Sequence, residues 1–287
     1  MSEVDVRFDQ VRPRLFGIAY RMLGSVADAE DVVQDAWLRF NRTDPDSIRN
    51  APGFLAKTTI RLAITAATSA RARREVYVGP WLPEPLSTAA DPLLGAERSE
   101  AVDLAVLMLL ERLGPRERAA YILREAFDYP FRLIAEVLET SEPNARQLNK
   151  RARAHLEKQR HLPVDAAEHR RLLDAFLAAA RTGDLAQLEK MLAASAVSYS
   201  DGGGIVTAAR VPIHGRTDVA RFIAGIVEKF SPGTTDAVVE VNGRPALLIT
   251  QDGVPVLLAA IDATAIGIER LMLVSNPEKL TGVAELV

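Results

Sequence analysis

The sequence has 287 residues and no cysteine, which excludes disulfides and thiolate metal sites and removes one common mark of an exported fold. Its first residues, MSEVDVRFDQ, lack the apolar run of a signal peptide. No uninterrupted apolar stretch approaches the roughly 20 residues that cross a bilayer. A cytoplasmic protein with no membrane association is the expectation. Internal repeats and low-complexity tracts are also missing. An excess of either charge is missing: 35 basic against 38 acidic side chains leave a net charge of -3, an average that argues against a nucleic-acid partner. Against these absences, 48 % of the residues are hydrophobic and 25 % charged, enough for two or three soluble domains with real cores.

The distribution of charge reverses what the average suggests. Residues 47–74 contain Arg49, Lys57, Arg61, Arg71, Arg73 and Arg74 and no acid. Residues 143–160 contain Arg146, Lys150, Arg151, Arg153, Lys158 and Arg160 against Glu157 alone. Residues 161–287 carry 11 basic and 15 acidic side chains. Phosphate attraction needs a local positive surface rather than a basic average, so two separate patches point to nucleic acid. Solvated helix faces with scattered charge are the bland alternative for either patch alone.

Helical periodicity organises the first half. Phe8, Val11, Leu15, Ile18, Ala19 and Met22 predict a helix from Phe8 to Leu23, closed by Gly24. Ser25, with Asp28 three residues on, predicts the cap of a second helix to about Phe40. Asn41 to Asn50 reads as a loop and Phe54 to Ala70 as a third helix. From Val76 to Gly95 periodicity vanishes, and Pro80, Pro83, Pro85 and Pro92 predict an extended, semi-rigid segment whose Trp81 and Leu82 should dock somewhere. Helix returns over Ala101–Leu113, Pro115–Phe127, Phe131–Leu138 and Glu142 to about Gln159. After Pro163 two helices (Ala166–Arg181, Leu185–Ala193) lead into alternating segments. Asn242-Gly243 and Asp252-Gly253 are hairpin signals around Ala246–Thr250, followed by Val256–Ile261 and Ile266–Val274.

A short helix, a three- or four-residue turn and a second helix carrying amides and cations is the helix-turn-helix plan. Phe131, Ile134, Ala135 and Leu138 would bury the first helix, and Ala145, Leu148, Ala152 and Leu156 the second. Thr140 or Ser141 would cap it. Asn144, Arg146, Gln147, Lys150, Arg151 and Arg153 are left facing outward, and Asn, Gln and Arg are the side chains that read adenine and guanine edges. A charged surface helix in a bundle is the plain alternative. The other basic face differs: Lys57, Arg61, Thr65 and Thr68 recur at helical spacing ahead of Arg71, Arg73 and Arg74. That face suits backbone contacts and a captured base better than groove reading. Before it, Asp28, Glu30, Asp31 and Asp35 crowd one helix with no histidine nearby, so a protein-binding face is a better reading than a metal site.

These residues resemble a known family. Tyr20-Arg21-Met22-Leu23-Gly24-Ser25 together with Asp28-Ala29-Glu30-Asp31-Val32-Val33-Gln34-Asp35-Ala36-Trp37 is similar to region 2 of extracytoplasmic-function (ECF) RNA polymerase sigma factors. Leu113-Gly114-Pro115-Arg116-Glu117-Arg118, through Ile134-Ala135 to Arg151-Ala152-Arg153-Ala154-His155-Leu156, resembles region 4. The resemblance implies that Asp28, Glu30, Asp31, Gln34, Asp35 and Trp37 grip a coiled coil of the polymerase β′ subunit. It implies that Lys57, Arg61 and Thr65, with Arg71, Arg73 and Arg74, engage the minus-ten promoter element. Region 4 would read the minus-thirty-five element. Trp81-Leu82-Pro83-Glu84-Pro85-Leu86, Asp201-Gly202-Gly203-Gly204 and Asn276-Pro277-Glu278-Lys279-Leu280 are similar to motifs of the SigJ-like subgroup, whose members carry a SnoaL-like domain behind region 4.

The expected fold is therefore multi-domain. Two all-α sigma domains, 1–75 and 97–162, flank a proline-containing linker, 76–96. A SnoaL-like α+β cone with a curved antiparallel sheet occupies 163–287. The expected function is promoter-specific initiation with core polymerase, its β′ and β subunits and promoter DNA as partners, with no enzyme activity, metal or cofactor. Trp81, Leu82, Pro83, Asp201 to Gly204 and Asn276 to Leu280 would form a regulatory contact between the C-terminal domain and the sigma regions. The second hypothesis makes that domain a ligand sensor or a ketosteroid-isomerase-like enzyme using Asp201, His214, Asp262 or Glu269. A dimeric repressor is the third, and it leaves the acidic helix unexplained.

Overall fold

Gly24, at φ 64°, donates its N–H to Tyr20 O at 2.7 Å and closes the first helix, α1 (Glu3–Leu23). The computed structural model in which this is seen describes residues 3–44, 47–48, 50–88, 103–157, 163–230 and 233–286. Pro45, Asp46, Arg49, the linker from 89 to 96, the start of the second helical region at 97–102, and Lys158 and Arg160 lie outside the described residues. Two compact units divide the chain: Met1–Glu75 with Asp91–Arg160, and Val76–Ala90 with His161–Val287.

In the first unit, Ser25 accepts the Asp28 N–H at 3.2 Å and starts α2 (Val26–Arg42), the cap expected from the sequence. The third helix, α3 (Ala51–Glu75), is longer at both ends than the expected Phe54–Ala70. Asn50 accepts the Gly53 N–H at 3.1 Å, and Arg73 and Arg74 in the last turn favour its negative pole. Ala56, Ala63, Ala67 and Ala70 are buried, and such small side chains let α1 and α2 approach closely. The apolar helix expected over Ala101–Leu113 is the shorter α4 (Leu104–Leu110), capped by Asp103. It is followed by α5 (Pro115–Glu125), α6 (Phe131–Val137) and α7 (Glu142–Glu157). No glycine ends α6. Glu139 takes the left-handed conformation instead, at φ 50°, and Thr140 N–H donates to Ala135 O at 2.9 Å.

The second unit contains α8 (Ala166–Thr182), α9 (Leu185–Met191), β1 (Leu192–Asp201), β2 (Ile213–His214), α10 (Arg216–Phe230), β3 (Thr234–Val241), β4 (Arg244–Gln251), β5 (Val254–Thr264), β6 (Gly267–Val274) and α11 (Pro277–Leu280), then a 3-10 turn (Thr281–Leu286). Sequence periodicity had not distinguished α10. Both expected hairpin turns are present: Asn242 and Gly243 have φ 53° and 68°, Asp252 and Gly253 φ 52° and 78°, the primed turns whose twist matches the strands. The sheet order is β2-β1-β6-β5-β4-β3. It departs from the all-antiparallel expectation at one place, because β1 pairs with β6 in parallel. The chain crosses from β1 to β6 through the intervening helix and hairpins, and this crossover allows the parallel pairing.

Helices α8 to α10 cover one sheet face, where Leu173, Phe176, Ala220 and Ile223 meet Leu257, Ile261, Leu271 and Leu273. Leu258, Met272 and Val274, at alternate positions, face the other way and are also buried. The segment 76–88 and α11 supply that second cover, so the expected linker packs as part of this unit.

Candidate DNA- and polymerase-binding surfaces and the linker site

The buried row Ala145, Leu148, Ala152 and Leu156 seats α7 against α5 and α6. This leaves Asn144, Arg146, Gln147, Lys150, Arg151 and Arg153 exposed, as their spacing predicted. Ser141 accepts the Asn144 N–H at 3.4 Å, and Asn144 donates through its amide to Thr140 Oγ1 at 2.7 Å. Arg146 lies 4.6 Å above Phe131 and pairs with Glu142 at 2.5 Å, which holds its guanidinium at the helix start. Arg151 is tethered to Glu117 at 2.8 Å, whereas Gln147 and Lys150 project outward between these cations.

The basic face of α3 is differentiated by its partners. Lys57 Nζ lies 3.0 Å from Glu136 Oε1, and Arg61 lies 2.6 Å from Glu139, with a further 3.4 Å hydrogen bond from Arg61 Nε to Val137 O. The lysine holds the Glu136 carboxyl below the ordinary carboxylate range, through its hydrogen bond first and its charge second. The end of the helix-turn-helix's first helix thus engages the two side chains expected to contact the minus-ten element. Thr65, Arg71 and Arg73 are exposed, and Arg73 reaches Asp28 at 3.2 Å.

Arg74 is a correction. It is mostly buried, pairs with Glu111 and donates to Leu23 O, while Arg118 donates to Glu111 and to Met22 O, each at 2.6 Å. Burial, with Arg118 nearby, pushes the Arg74 guanidinium down to about 9. This knot ties α3, α4, α5 and the end of α1 together, so Arg74 is a packing residue.

The acidic helix also divides. Asp31, Gln34 and Asp35 share an exposed face with Leu38, whereas Asp28 and Glu30 are engaged by Arg73 and by Arg12, the latter at 2.6 Å. Trp37 does not stand free on that face. Its ring is half-buried, stacked between Phe8, at 4.2 Å, and Phe40, at 5.5 Å.

In the second unit, Asp201 is fully buried at the end of β1. Its Oδ1 accepts from Tyr77 OH at 2.6 Å and Gly203 N–H at 3.1 Å, and its Oδ2 from Leu82 N–H at 2.8 Å and Lys279 Nζ at 2.7 Å. Lys279 also donates to Leu82 O at 2.5 Å and lies between two rings, 4.2 Å from Trp81 and 5.2 Å from Tyr77. Asn276 donates to Tyr77 OH at 3.1 Å and accepts the Glu278 N–H at 3.0 Å, starting α11 behind Pro277. Gly203 is left-handed at φ 65°, and a Cβ there would stand 2.5 Å from Asn276 Nδ2, so the loop and α11 meet only because this residue is glycine. Leu82, Pro83 and Leu280 are buried, whereas Pro277 and Glu278 remain exposed. Further along, Leu86 N–H donates to Asn242 Oδ1 at 3.0 Å and Asn242 N–H to Leu86 O at 2.9 Å. Burial and the Asp201 hydrogen bond raise the Tyr77 phenol above its ordinary range.

Residues 7–73 match the family described as Sigma-70 region 2, and residues 103–156 that described as Sigma-70, region 4. The ECF RNA polymerase sigma factor SigJ of Mycobacterium tuberculosis (strain ATCC 25618 / H37Rv) is 37% identical over 291 residues, covering 96% of this chain and 92% of SigJ. The chain belongs to the ECF RNA polymerase sigma factor family. A crystal structure of Mycobacterium tuberculosis SigJ matches with TM-score 0.79 at 34% identity, covering 96% of this chain and 98% of that one. A second relative, "Probable ECF RNA polymerase sigma factor SigI" of Mycobacterium tuberculosis (strain CDC 1551 / Oshkosh), is 34% identical over 245 residues, covering 83% of this chain and 81% of its own.

In this sigma factor α1–α3 form region 2, α4–α7 form region 4, and the unit behind them is an α+β unit built on a six-stranded mixed sheet. The four polar groups considered for catalysis have different surroundings. Asp201 faces the linker, Asp262 pairs with Arg270, His214 is exposed on β2, and Glu269 is buried on β6 where the pairing with β5 shifts register. Sequence reasoning assigned no side-chain role to Tyr77, Arg118 or Asn242. Tyr77 stood in an aperiodic stretch four residues before Trp81, and only its aromatic ring next to that motif could have drawn attention to it.

Proposed function

We propose that this ECF sigma factor brings core polymerase to promoters through three surfaces and is governed by its own C-terminal domain. Asp31, Gln34 and Asp35 would take the coiled coil of β′, with β as the second core subunit engaged, in the cytoplasm where the polymerase works. Lys57, Arg61 and Thr65, with Arg71, would take the minus-ten element. Arg146, Gln147 and Lys150, flanked by Asn144, Arg151 and Arg153, would read the minus-thirty-five element. The observation that carries this reading is the presence, in one unit, of an exposed carboxylate face on α2 and an exposed amide-and-cation face on α7. A repressor needs only the second. The domain behind them acts as a regulator rather than an enzyme, a reading supported by the different surroundings of its polar groups.

Control would operate through the linker. Residues 76–88 leave region 2 but pack with the SnoaL-like domain, fixed by Asp201 and Lys279. Freeing the linker would change how the two promoter-reading regions are presented. In vitro transcription with core polymerase tests both parts. Full-length protein is expected to initiate at its promoter, and Asp31→Lys with Asp35→Lys to abolish co-purification with core polymerase at unchanged helicity. The chain 1–163 is expected to differ in promoter output from the full chain. Retained co-purification sinks the polymerase-binding assignment, and equal output from both chains sinks control by the C-terminal domain.

A further inference from the structure

Between α10 and the helix-covered face of the sheet lies a cavity of about 400 Å³, within the size range of small-molecule sites. Phe222 and Ile226 of α10 and Leu257 and Leu273 of the sheet make its walls apolar. Two features distinguish it from a packing gap. Ser200, 5 % exposed, lines it with a hydroxyl that has no hydrogen-bond partner among the described residues. A buried donor without a partner is costly, which is the expected state of a site lacking its ligand. Gly225 also lines the cavity from the interior of α10, and a Cβ there would meet nothing within 4 Å. Glycine inside a helix is destabilising relative to alanine, and here no neighbour requires it. Gly225 is itself exposed, so what the missing side chain preserves is an open mouth to the cavity.

Charge at the mouth indicates the ligand class. Arg221 and Lys229, one turn of α10 either side of Gly225, are exposed lining residues. Asp218 approaches Arg221 only to 3.9 Å. We infer that this cavity binds an amphipathic carboxylate: an apolar body between α10 and the sheet, its anionic group at Arg221 and Lys229, and a hydrogen bond from Ser200. Successive strand residues face opposite sides, so Ser200 presents to the cavity while Asp201 holds the linker on the other face. The inference does not depend on the promoter or polymerase assignments.

Calorimetric titration of the full chain with decanoate, and separately with decanol, tests it. Decanoate is expected to bind saturably at one site. Arg221→Gln with Lys229→Gln should weaken decanoate by about tenfold, the loss of roughly one ion pair, and leave decanol unchanged. Gly225→Phe should abolish binding of both. Gly225→Ala, whose methyl has room, should raise the thermal midpoint and weaken decanoate a few-fold, and it serves if the phenylalanine variant does not fold. An absence of saturable decanoate binding overturns the inference. So does binding that persists unchanged in the Gly225 variants, or in the double charge variant.

Discussion

Lys279 reaches Asp201 at 2.7 Å while its ammonium lies 4.2 Å from the Trp81 ring, so one buried cation joins α11, the end of β1 and the linker. Removing it leaves a fully buried carboxylate without its main counter-charge. Lys279→Met is expected to destabilise the second unit by about 3–5 kcal/mol, the usual cost of breaking a buried pair from one side. The double variant with Asp201→Asn should lose less than the two single losses added together, because the residues are in direct contact. Denaturant unfolding of the four proteins measures this, and strict additivity would contradict the pairing.

Tyr77 makes the same cluster pH-dependent on the alkaline side. Its folded pKa is raised, so above the unfolded value of about 10 the folded state holds more protons than the unfolded one, and stability falls as pH rises. The contribution is fully present below that value. Thermal midpoints between roughly pH 9 and 11 should therefore fall more steeply for the wild type than for Tyr77→Phe. Parallel curves would show that the phenol is not held neutral by Asp201.

Glu136 and Glu139 occupy the two side chains, Lys57 and Arg61, proposed to contact the minus-ten element. Both ion pairs are partly exposed, so each is a weak competitor for DNA. Glu136→Lys with Glu139→Lys is expected to raise affinity for a single-stranded minus-ten oligonucleotide a few-fold at low salt, with a smaller gain at high salt. Fluorescence anisotropy reads the change, and unaltered affinity would mean that region 4 does not compete at this face.

On α7 the proposed roles separate by salt dependence. Gln147→Ala should cost about 1–3 kcal/mol on the cognate minus-thirty-five duplex and little on a scrambled one. Lys150→Ala should weaken both alike and reduce the slope of affinity against salt by about one ion. Equal behaviour of the two variants would remove the distinction between base reading and phosphate holding.

What was legible in the sequence was local. Ser25 with Asp28, the apolar rows of α7 and the Asn242-Gly243 and Asp252-Gly253 turns depend on contacts within a few residues, so periodicity and capping chemistry suffice to read them. Helix α10 escaped notice, and its Gly225 weakens a helix-forming pattern. Trp37 and Arg74 carried the right chemistry for surface roles, yet an aromatic stack and a buried ion knot engage them. No local signal distinguishes an exposed arginine from one facing an acid 37 residues away, such as Glu111.

By itself the sequence determined the helix-turn-helix, the acidic and basic helices, the hairpins and the family to which they belong. Each is written in side-chain types at fixed short spacing. Only the tertiary structure decided which of those side chains remain available, that β1 lies parallel to β6, and that the proline-rich segment forms one cover of the sheet. Tyr77 meets Asp201 across 124 residues of sequence and Asn276 across 199, and only the path of the whole chain brings such groups together.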